Sequence, residues 1–269
     1  MRLFDAHNHL QDQWLAPYMP QVLDALPHIG IAGAVVNGTI DSDWDAVSRL
    51  ARERPWIIPS YGIHPWRVKE RAKDWETLLR AKLDQGGVIG EIGLDRWKEG
   101  FDFDDQEKVF RFQLQLAAER NLPATIHCLR AWGALWDIIR TEPVPQCGFL
   151  LHAYGGPVEM IEGFLARGAF FSFSGSFLAE PRHKKRDTFL HIPLSRLLVE
   201  TDAPAMPLSP ELDRHPLPPT PEGDSVNHPA NLTVAYEGLA TLRGIQLEEL
   251  AILAEINFQR LFDVSGSLA

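Results

Sequence analysis

This chain has few cysteines, no long apolar runs and no excess of basic charge. The two cysteines, Cys128 and Cys147, are too few for a disulfide framework or a cysteine-rich zinc module, which favours a reducing cytoplasm. No stretch reaches the roughly 18 apolar residues of a membrane helix, and the first residues do not resemble a signal peptide. We therefore predict a cytoplasmic protein that binds no membrane.

The charge balance limits the partners of the chain. Its 26 basic residues are outnumbered by 36 acidic ones, which gives a formal net charge of −10 at pH 7. This excludes a broad basic surface that holds nucleic acid by counterion release, so any contact with a polyanion must be local. Hydrophobic residues make up 45% and charged residues 23%, as in ordinary soluble proteins, which excludes disorder, collagen and coiled coil.

Short apolar or β-rich runs alternate with segments of helical periodicity. In residues 104–120, for example, Val109, Phe112 and Leu116 would share one helical face. The β-rich runs are residues 3–10, 32–37, 57–63, 88–94, 124–128, 149–153, 169–174 and 197–201. A length of 269 residues suits one barrel or two small domains. Eight β/α units favour an α/β fold with a single (β/α)8 TIM barrel over residues 1–269, and a doubly wound sheet is the alternative.

The segment after the last predicted strand has a different composition. Residues 203–229 contain eight prolines, which exclude a helix and predict a long loop over the carboxyl-terminal face of the barrel. Segments 230–242 and 247–262 are amphipathic and predict two helices that close the barrel.

Side chains that ligate metals recur near the predicted strand ends. His7 and His9 are two residues apart in the first strand, so both imidazoles point to one face. The other strands contribute Glu91, His127, His152 and Asp202. Any one of them could be a hydrogen-bonded residue of the barrel rim. Six polar groups at one rim would be destabilising unless they bound something, and a divalent metal is the simplest ligand.

Six short segments combine these residues with characteristic neighbours. They are DAHNHL (5–10), GIHPW (62–66), GEIGLD (90–95), IHC (126–128), FSG (173–175) and ETDAP (200–204). In order and spacing they resemble the TatD family of metal-dependent hydrolases, within the amidohydrolase superfamily. The resemblance spans nearly the whole chain.

The resemblance implies a TIM barrel with two divalent metal ions and phosphodiester hydrolysis by a metal-activated water. The better-studied members are described as deoxyribonucleases with 3′ to 5′ exonuclease character. The implied ligands are His7, His9 and Asp202 for the first ion, His127 and His152 for the second, and Glu91 as the bridge. Asp202 would also be the general base, and His64 would lie near the substrate. Zinc or manganese suits these ligands, and magnesium does if water fills the remaining positions.

The chain departs from the family pattern on the substrate side. Cys128 and Leu129 separate His127 from Arg130, which displaces the arginine by one position. Residues 153–156 and 96–98 also differ from the usual motifs. The metal chemistry is therefore better supported than the substrate.

Several neighbouring residues have two interpretations each. His64 could contact substrate or cap a turn, and Asp5 could orient a metal ligand or only hydrogen-bond in the core. Cys128 should point away from the metal and form a buried structural thiol rather than a nucleophile. Trp66 and Trp97 could stack on a base or pack the barrel rim.

The densest basic run is residues 182–186. It could be a solvated turn at the start of the seventh helix. We expect instead that Lys184, Lys185 and Arg186 include contacts to phosphates beside the scissile bond, because loops after the last strands of barrels often bind phosphate.

Three functions remain open. The first is a nuclease or other phosphodiesterase, whose partner would be DNA or another phosphodiester bound locally, and a monomer is compatible with it. The second is an amidohydrolase or deacylase acting on a small molecule, which the acidic charge favours. The third is a metal-stabilised barrel that binds a partner with little catalysis.

Overall fold

The computed structural model describes residues 1–262, and its eight strands form one parallel sheet in chain order. The strands are β1 (Leu3–Asn8), β2 (Ile31–Asn37), β3 (Ile57–Tyr61), β4 (Val88–Asp95), β5 (Ala124–Leu129), β6 (Phe149–Leu151), β7 (Ala169–Ser174) and β8 (Leu197–Glu200). The α-helices are α1 (Met19–Ile29), α2 (Trp44–Glu53), α3 (Trp75–Leu83), α4 (Phe103–Arg120), α5 (Trp132–Thr141), α6 (Ile161–Ala166), α7 (His183–Thr188), α8 (Leu232–Arg243) and α9 (Leu247–Phe262). The TIM-barrel prediction is confirmed.

The ends of the elements follow local signals. The helix predicted over 104–120 is α4, where the Asp102 carboxylate accepts a hydrogen bond from the Asp105 N–H at 3.1 Å. At its other end Asn121 adopts the left-handed conformation with φ 48°. Four strands, β1, β3, β6 and β8, end earlier than predicted, so that His9 and His152 follow their strands instead of lying within them.

The barrel closes between β8 and β1 through a few specific hydrogen bonds. The Asp202 N–H donates to the His7 carbonyl at 2.9 Å, and the His9 N–H donates to the Ala203 carbonyl at 2.7 Å. The Tyr236 hydroxyl of α8 accepts from the Phe4 N–H at 3.1 Å and donates to the Phe4 carbonyl at 3.0 Å. This seam brings Asp202 beside the two histidines of β1.

The end of the barrel opposite His7 and His9 is apolar. Phe258, Leu261 and Phe262 of α9 pack in one cluster with residues near the starts of several strands, among them Phe4 and Phe170. The helix α9 therefore covers the amino-terminal ends of the strands, and polar groups are left to the carboxyl-terminal ends.

The proline-rich segment 203–229 crosses the carboxyl-terminal face without a helix or strand until the short 3-10 turn Pro229–Asn231. Its two ends are tied together, because the Asn227 N–H donates to the Pro204 carbonyl at 2.9 Å. The Asn227 amide also donates to the Thr201 carbonyl at 2.9 Å. Within residues 1–262, no helix is long and apolar enough to cross a membrane.

Candidate metal centre

Glu91 lies at the centre of a group of buried histidines. It is in the middle of β4, where the pairing with β5 is irregular between Ile89 and Ile92. The residue is only 3% exposed, and its two carboxylate oxygens face different sets of nitrogen atoms. A carboxylate placed in this way can bridge two ions.

The Oε2 atom of Glu91 faces the ligands contributed by β1 and by the residue after β8. It lies 3.5 Å from His7 Nε2 and 3.3 Å from His9 Nε2. The two histidine nitrogens are 3.2 Å apart, and each is 3.4 Å from Asp202 Oδ1. Four potential ligand atoms thus surround one point.

The Oε1 atom faces the ligands of β5 and β6. It lies 3.1 Å from His127 Nδ1 and 2.8 Å from His152 Nε2, and these two nitrogens are 3.3 Å apart. The imidazoles of His7 and His152 stack with centroids 3.9 Å apart, so the two groups of ligands are in direct contact. All six residues predicted as ligands are therefore brought together.

The spacing of these donors fits a divalent metal. Atoms bound tetrahedrally at 2.0–2.1 Å from a zinc ion are about 3.3 Å from one another. The measured separations in the first group are 3.2–3.5 Å. Imidazole nitrogens mixed with carboxylate oxygens are also the donors that zinc and manganese accept. Among residues 1–262, three overlapping sets could hold an ion: His7, His9 and Glu91; His7, His152 and Asp202; and His64, Glu91 and His127.

Hydrogen-bond partners of His9 and His127 determine which ring nitrogen of each is free to bind a metal. His9 Nδ1 lies 2.7 Å from the Asn37 carbonyl, so it carries the hydrogen and Nε2 is free. His127 is reversed, because its Nε2 lies 2.8 Å from Asp95 Oδ2 and its Nδ1 points at Glu91. Such partners fix ring orientation and tautomer at metal sites.

Asp95 and Glu200 are two carboxylates beside the centre that were not identified from the sequence. Glu200 lies 3.6 Å from His152 Nδ1 and accepts a hydrogen bond from Ser172. Both residues lie within quoted motifs, and Asp95 is four residues after Glu91 in β4. The even spacing between Glu91 and Asp95 could have identified Asp95, since residues an even number apart lie on one face of a strand.

Burial and charge together set the protonation of the site. Burial lowers the pKa of His7 to about 4, and the nearby His152 adds to the effect. Burial also opposes charge on His9, but hydrogen bonds with Asp202 and Glu91 outweigh it and raise its pKa. Burial would raise the pKa of Glu91, yet the surrounding histidines hold it well below its usual value. The Glu91 carboxylate is therefore ionised.

His64 contacts the same centre from the end of β3. Its Nδ1 accepts a hydrogen bond from the Trp66 N–H at 3.1 Å, so Nε2 carries the hydrogen of the neutral ring. Nε2 is 3.5 Å from Glu91 Oε1. Burial lowers the pKa of His64 to about 4, which keeps it neutral. This tautomer makes His64 a hydrogen-bond donor in addition to the turn cap that it forms.

Asp5 and Cys128 have roles outside the donor set. Asp5 accepts hydrogen bonds from the Thr201 N–H at 3.0 Å and the Thr201 hydroxyl at 2.6 Å. It thereby joins β1 to the segment that carries Asp202. Cys128 is buried, and burial raises the pKa of its thiol far above the ordinary value. The thiol is therefore protonated at neutral pH.

The contacts of Lys185 and Arg186 in α7 differ. The Lys185 side chain lies over Gly155, where a Cβ atom would come within 3.3 Å of Nζ. Burial and the charges of Arg182 and Arg130 lower its pKa. Arg186 instead pairs with Asp187 at 2.8 Å, and Lys184 is exposed, as Lys185 is. Lys185 is thus the member of the run beside the loop that follows His152.

Comparison with known proteins identifies relatives over the whole barrel. The family model described as TatD related DNase matches residues 4–263. The uncharacterized metal-dependent hydrolase YcfH of Escherichia coli K12 is 33% identical over 219 residues, or 81% of this chain and 78% of that protein. The 3′-5′ ssDNA/RNA exonuclease TatD of Erwinia tasmaniensis is 32% identical over 266 residues, or 97% of this chain and 100% of that protein.

A solved structure agrees with these sequence matches. The crystal structure of YjjV, a TatD homologue from Escherichia coli K12, superposes with a TM-score of 0.86 at 25% identity, covering 97% of this chain and 98% of that one. The family model spans nearly the whole chain, and the donor set described above fits a metal. The chain belongs to the TatD-related DNase family of metal-dependent hydrolases.

Proposed function

We propose that this protein is a nuclease that hydrolyses phosphodiester bonds of nucleic acid from a 3′ end, using two divalent ions. The observation that carries the proposal is the position of Glu91, whose two oxygens face two separate groups of ligands. Two-metal sites of this kind are typical of phosphoryl-transfer hydrolases. The exonuclease name of the Erwinia relative supports the same substrate class.

The residues divide between two ions. His7, His9, Asp202 and the Oε2 atom of Glu91 would hold the first, and His127, His152 and the Oε1 atom of Glu91 would hold the second. Bound divalent ions supply activation of water near neutral pH and neutralisation of charge on the phosphoryl oxygens. Zinc and manganese are the ions that this donor set favours, and magnesium is the third candidate.

Asp202 is the residue best placed to accept a proton from the attacking water. Burial would raise its pKa, but the hydrogen bond with His9 and the charges of nearby histidines lower it, so the carboxylate is ionised and able to act as a base. His64 Nε2–H would donate a hydrogen bond to an oxygen of the substrate phosphate. Asp202 Oδ1 lies 3.4 Å from His7 Nε2, and His64 Nε2 lies 3.5 Å from Glu91 Oε1.

A local cationic surface would hold the phosphate chain of the substrate. The surface is formed by Lys185, Arg130 and Arg182, which are close enough for the two arginines to lower the pKa of the lysine. It lies beside the loop after His152. Local attraction is needed because the chain as a whole is acidic. Among the residues of the basic run, Lys185 therefore carries the phosphate contact, ahead of Lys184 and Arg186.

Turnover with a panel of substrates tests the proposal. Metal-reconstituted enzyme should hydrolyse a single-stranded oligonucleotide and a simple aryl phosphodiester. It should leave N-acyl and carboxylic ester substrates intact. Hydrolysis of the acyl substrates alone would refute the nuclease function and favour an amidohydrolase.

The matched control is Asp202→Asn, which keeps an oxygen ligand but cannot accept the proton. Its kcat should fall by about 100-fold or more while the metal stays bound. Near wild-type kcat in the metal-replete variant would remove Asp202 from the role of base. Absence of turnover on every substrate would favour a barrel that only binds a partner.

A further inference from the structure

Two tryptophans and a lysine form an aromatic ledge beside the second group of ligands. The ledge consists of Trp66, Trp97 and Lys98. The Trp66 ring centroid is 6.1 Å from that of His127 and 6.2 Å from that of Trp97. Trp97 thus lies two ring-to-ring steps from a predicted metal ligand, on the same end of the barrel.

The two tryptophans differ in what they expose. Trp66 is half-buried between His64, at a centroid distance of 5.0 Å, and Lys98, whose Nζ lies 3.8 Å from the Trp66 centroid. Trp97 is 48% exposed. Its indole face is therefore open to a ligand that enters the active centre beside Trp66. The surface offered to a ligand is therefore that of Trp97, with Trp66 behind it.

The ledge is held at a fixed position relative to the metal centre by Asp95. The Oδ1 atom of Asp95 accepts hydrogen bonds from the backbone N–H groups of Trp97, at 2.6 Å, and Lys98, at 3.4 Å. Its other oxygen holds His127 Nε2 at 2.8 Å. One carboxylate therefore positions both a metal ligand and the start of the loop that carries the exposed ring. This arrangement suits a ring that must meet a substrate already bound at the metals.

We infer that Trp97, supported by Trp66 and Lys98, is a stacking subsite for a nucleobase next to the phosphodiester bound at the metal centre. The inference rests on the proposed nuclease function. Every nucleobase has a π-face, so an exposed indole binds bases without selecting their sequence. The Lys98 ammonium group lies at the same ledge, where it can contact the phosphate of the stacked nucleotide. The cationic surface around Lys185 lies beside the loop after β6, whereas the ledge follows β3 and β4, so the phosphates held by that surface would lie on a different wall of the opening from the stacked base.

Removal of one base from the substrate tests the subsite. We would compare an intact single-stranded oligonucleotide with oligonucleotides that carry an abasic residue on either side of the scissile bond. The base penalty is the ratio of kcat/KM for the intact and abasic substrates. Stacking on one aromatic ring is expected to give wild-type enzyme a penalty of about 5- to 150-fold at one of the two positions.

In Trp97→Ala the penalty should fall close to one, mainly through a higher KM for the intact oligonucleotide. Trp97→Phe should keep most of the penalty, and Trp14→Ala, which removes another exposed tryptophan (39%), should keep all of it. Hydrolysis of a small aryl phosphodiester should be unchanged in Trp97→Ala. This last measurement separates loss of stacking from damage to Asp95 and the metal centre.

Two results would overturn the inference while the proposed function stands. One is an unchanged base penalty in Trp97→Ala. The other is an equal loss on intact, abasic and small substrates, which would show that Trp97 only supports the centre. If wild-type enzyme hydrolyses no oligonucleotide at all, the proposed function fails, and the stacking subsite fails with it.

Discussion

Replacing Asp95 with asparagine should remove the second metal ion although the change is nearly isosteric. Asp95 Oδ1 accepts the Trp97 N–H at 2.6 Å, and an amide oxygen would keep this bond. The amide NH2 would then face His127 Nε2, which Asp95 Oδ2 now contacts at 2.8 Å. Two donors cannot share a hydrogen bond, so the His127 hydrogen would move to Nδ1. Nδ1 is the atom that points at Glu91, and it would no longer bind a metal.

The magnitude follows from the number of donors in each group. The second group has three protein donors, from Glu91, His127 and His152, and loss of His127 would leave two. Changes to groups that orient a metal-ligating histidine typically weaken metal binding by about 10- to 100-fold. We expect the upper end of this range, or about 2.7 kcal/mol, because the wrong tautomer blocks the ligand completely. The first group does not contact Asp95 and should keep its affinity.

Competition with a chromophoric chelator would measure both dissociation constants, and elemental analysis at a limiting free metal concentration would give the stoichiometry. Wild-type protein should bind two ions per chain and Asp95→Asn one. His9→Ala is the reciprocal control, because it should weaken the first site and spare the second. Two ions bound to Asp95→Asn with wild-type affinity would refute the tautomer argument.

Three further experiments test other parts of the structure. Glu91→Ala should lower binding of both ions, whereas His152→Ala should lower binding of the second only, as titration of metal stoichiometry would show. Lys185→Ala should raise KM for an oligonucleotide and make the negative slope of log kcat/KM against log salt concentration shallower by about 0.7. Lys184→Ala is the control and should leave the slope unchanged. Equal slopes in the two variants would contradict the role of the cationic surface. Burial, together with the charge of the nearby His215, lowers the pKa of His228 from 6.5 to about 4 in the folded chain. Between these pH values the unfolded chain binds more protons than the folded chain does, so the free energy of unfolding decreases as the pH falls from 6.5 to 4. His228→Asn should flatten this loss, measured as the free energy of unfolding in urea with a chelator present.

The fold and the clustering of the predicted ligands could be predicted because both follow from periodicity. Alternation of β-rich and helical segments predicts the barrel, and parallel strands bring residues at their carboxyl ends to one rim. His7 and His127 were identified in this way, and the structure brings their side chains to the same carboxylate, Glu91.

The residues that contact the ligands or would contact the substrate, such as Asp95 and Lys185, were harder to identify from the sequence. Asp95 and Asp202 are both aspartates at the ends of strands, yet one lies behind a histidine and the other faces the centre. Strand periodicity identifies the face of a residue but not which of its neighbours its oxygens contact. The direction of Lys185 is a similar case, because α7 is a helix of six residues whose orientation depends on packing against the rest of the barrel.

The position of the first metal group connects catalysis with the stability of the barrel. Its ligands come from the two ends of the sheet, His7 and His9 from β1 and Asp202 from the segment after β8, and the seam between them is closed by few backbone hydrogen bonds. An ion held by all three would join the first and last strands directly. In the unfolded chain these residues are far apart in sequence, so the ion would bind the folded state selectively and stabilise it by about 2.7 kcal/mol at a free concentration of 100 Kd. Metal binding would therefore close the barrel at the seam where the proposed nuclease holds its substrate, and Asp5 and Tyr236, neither of them a proposed ligand, are buried and hydrogen-bonded along the same seam.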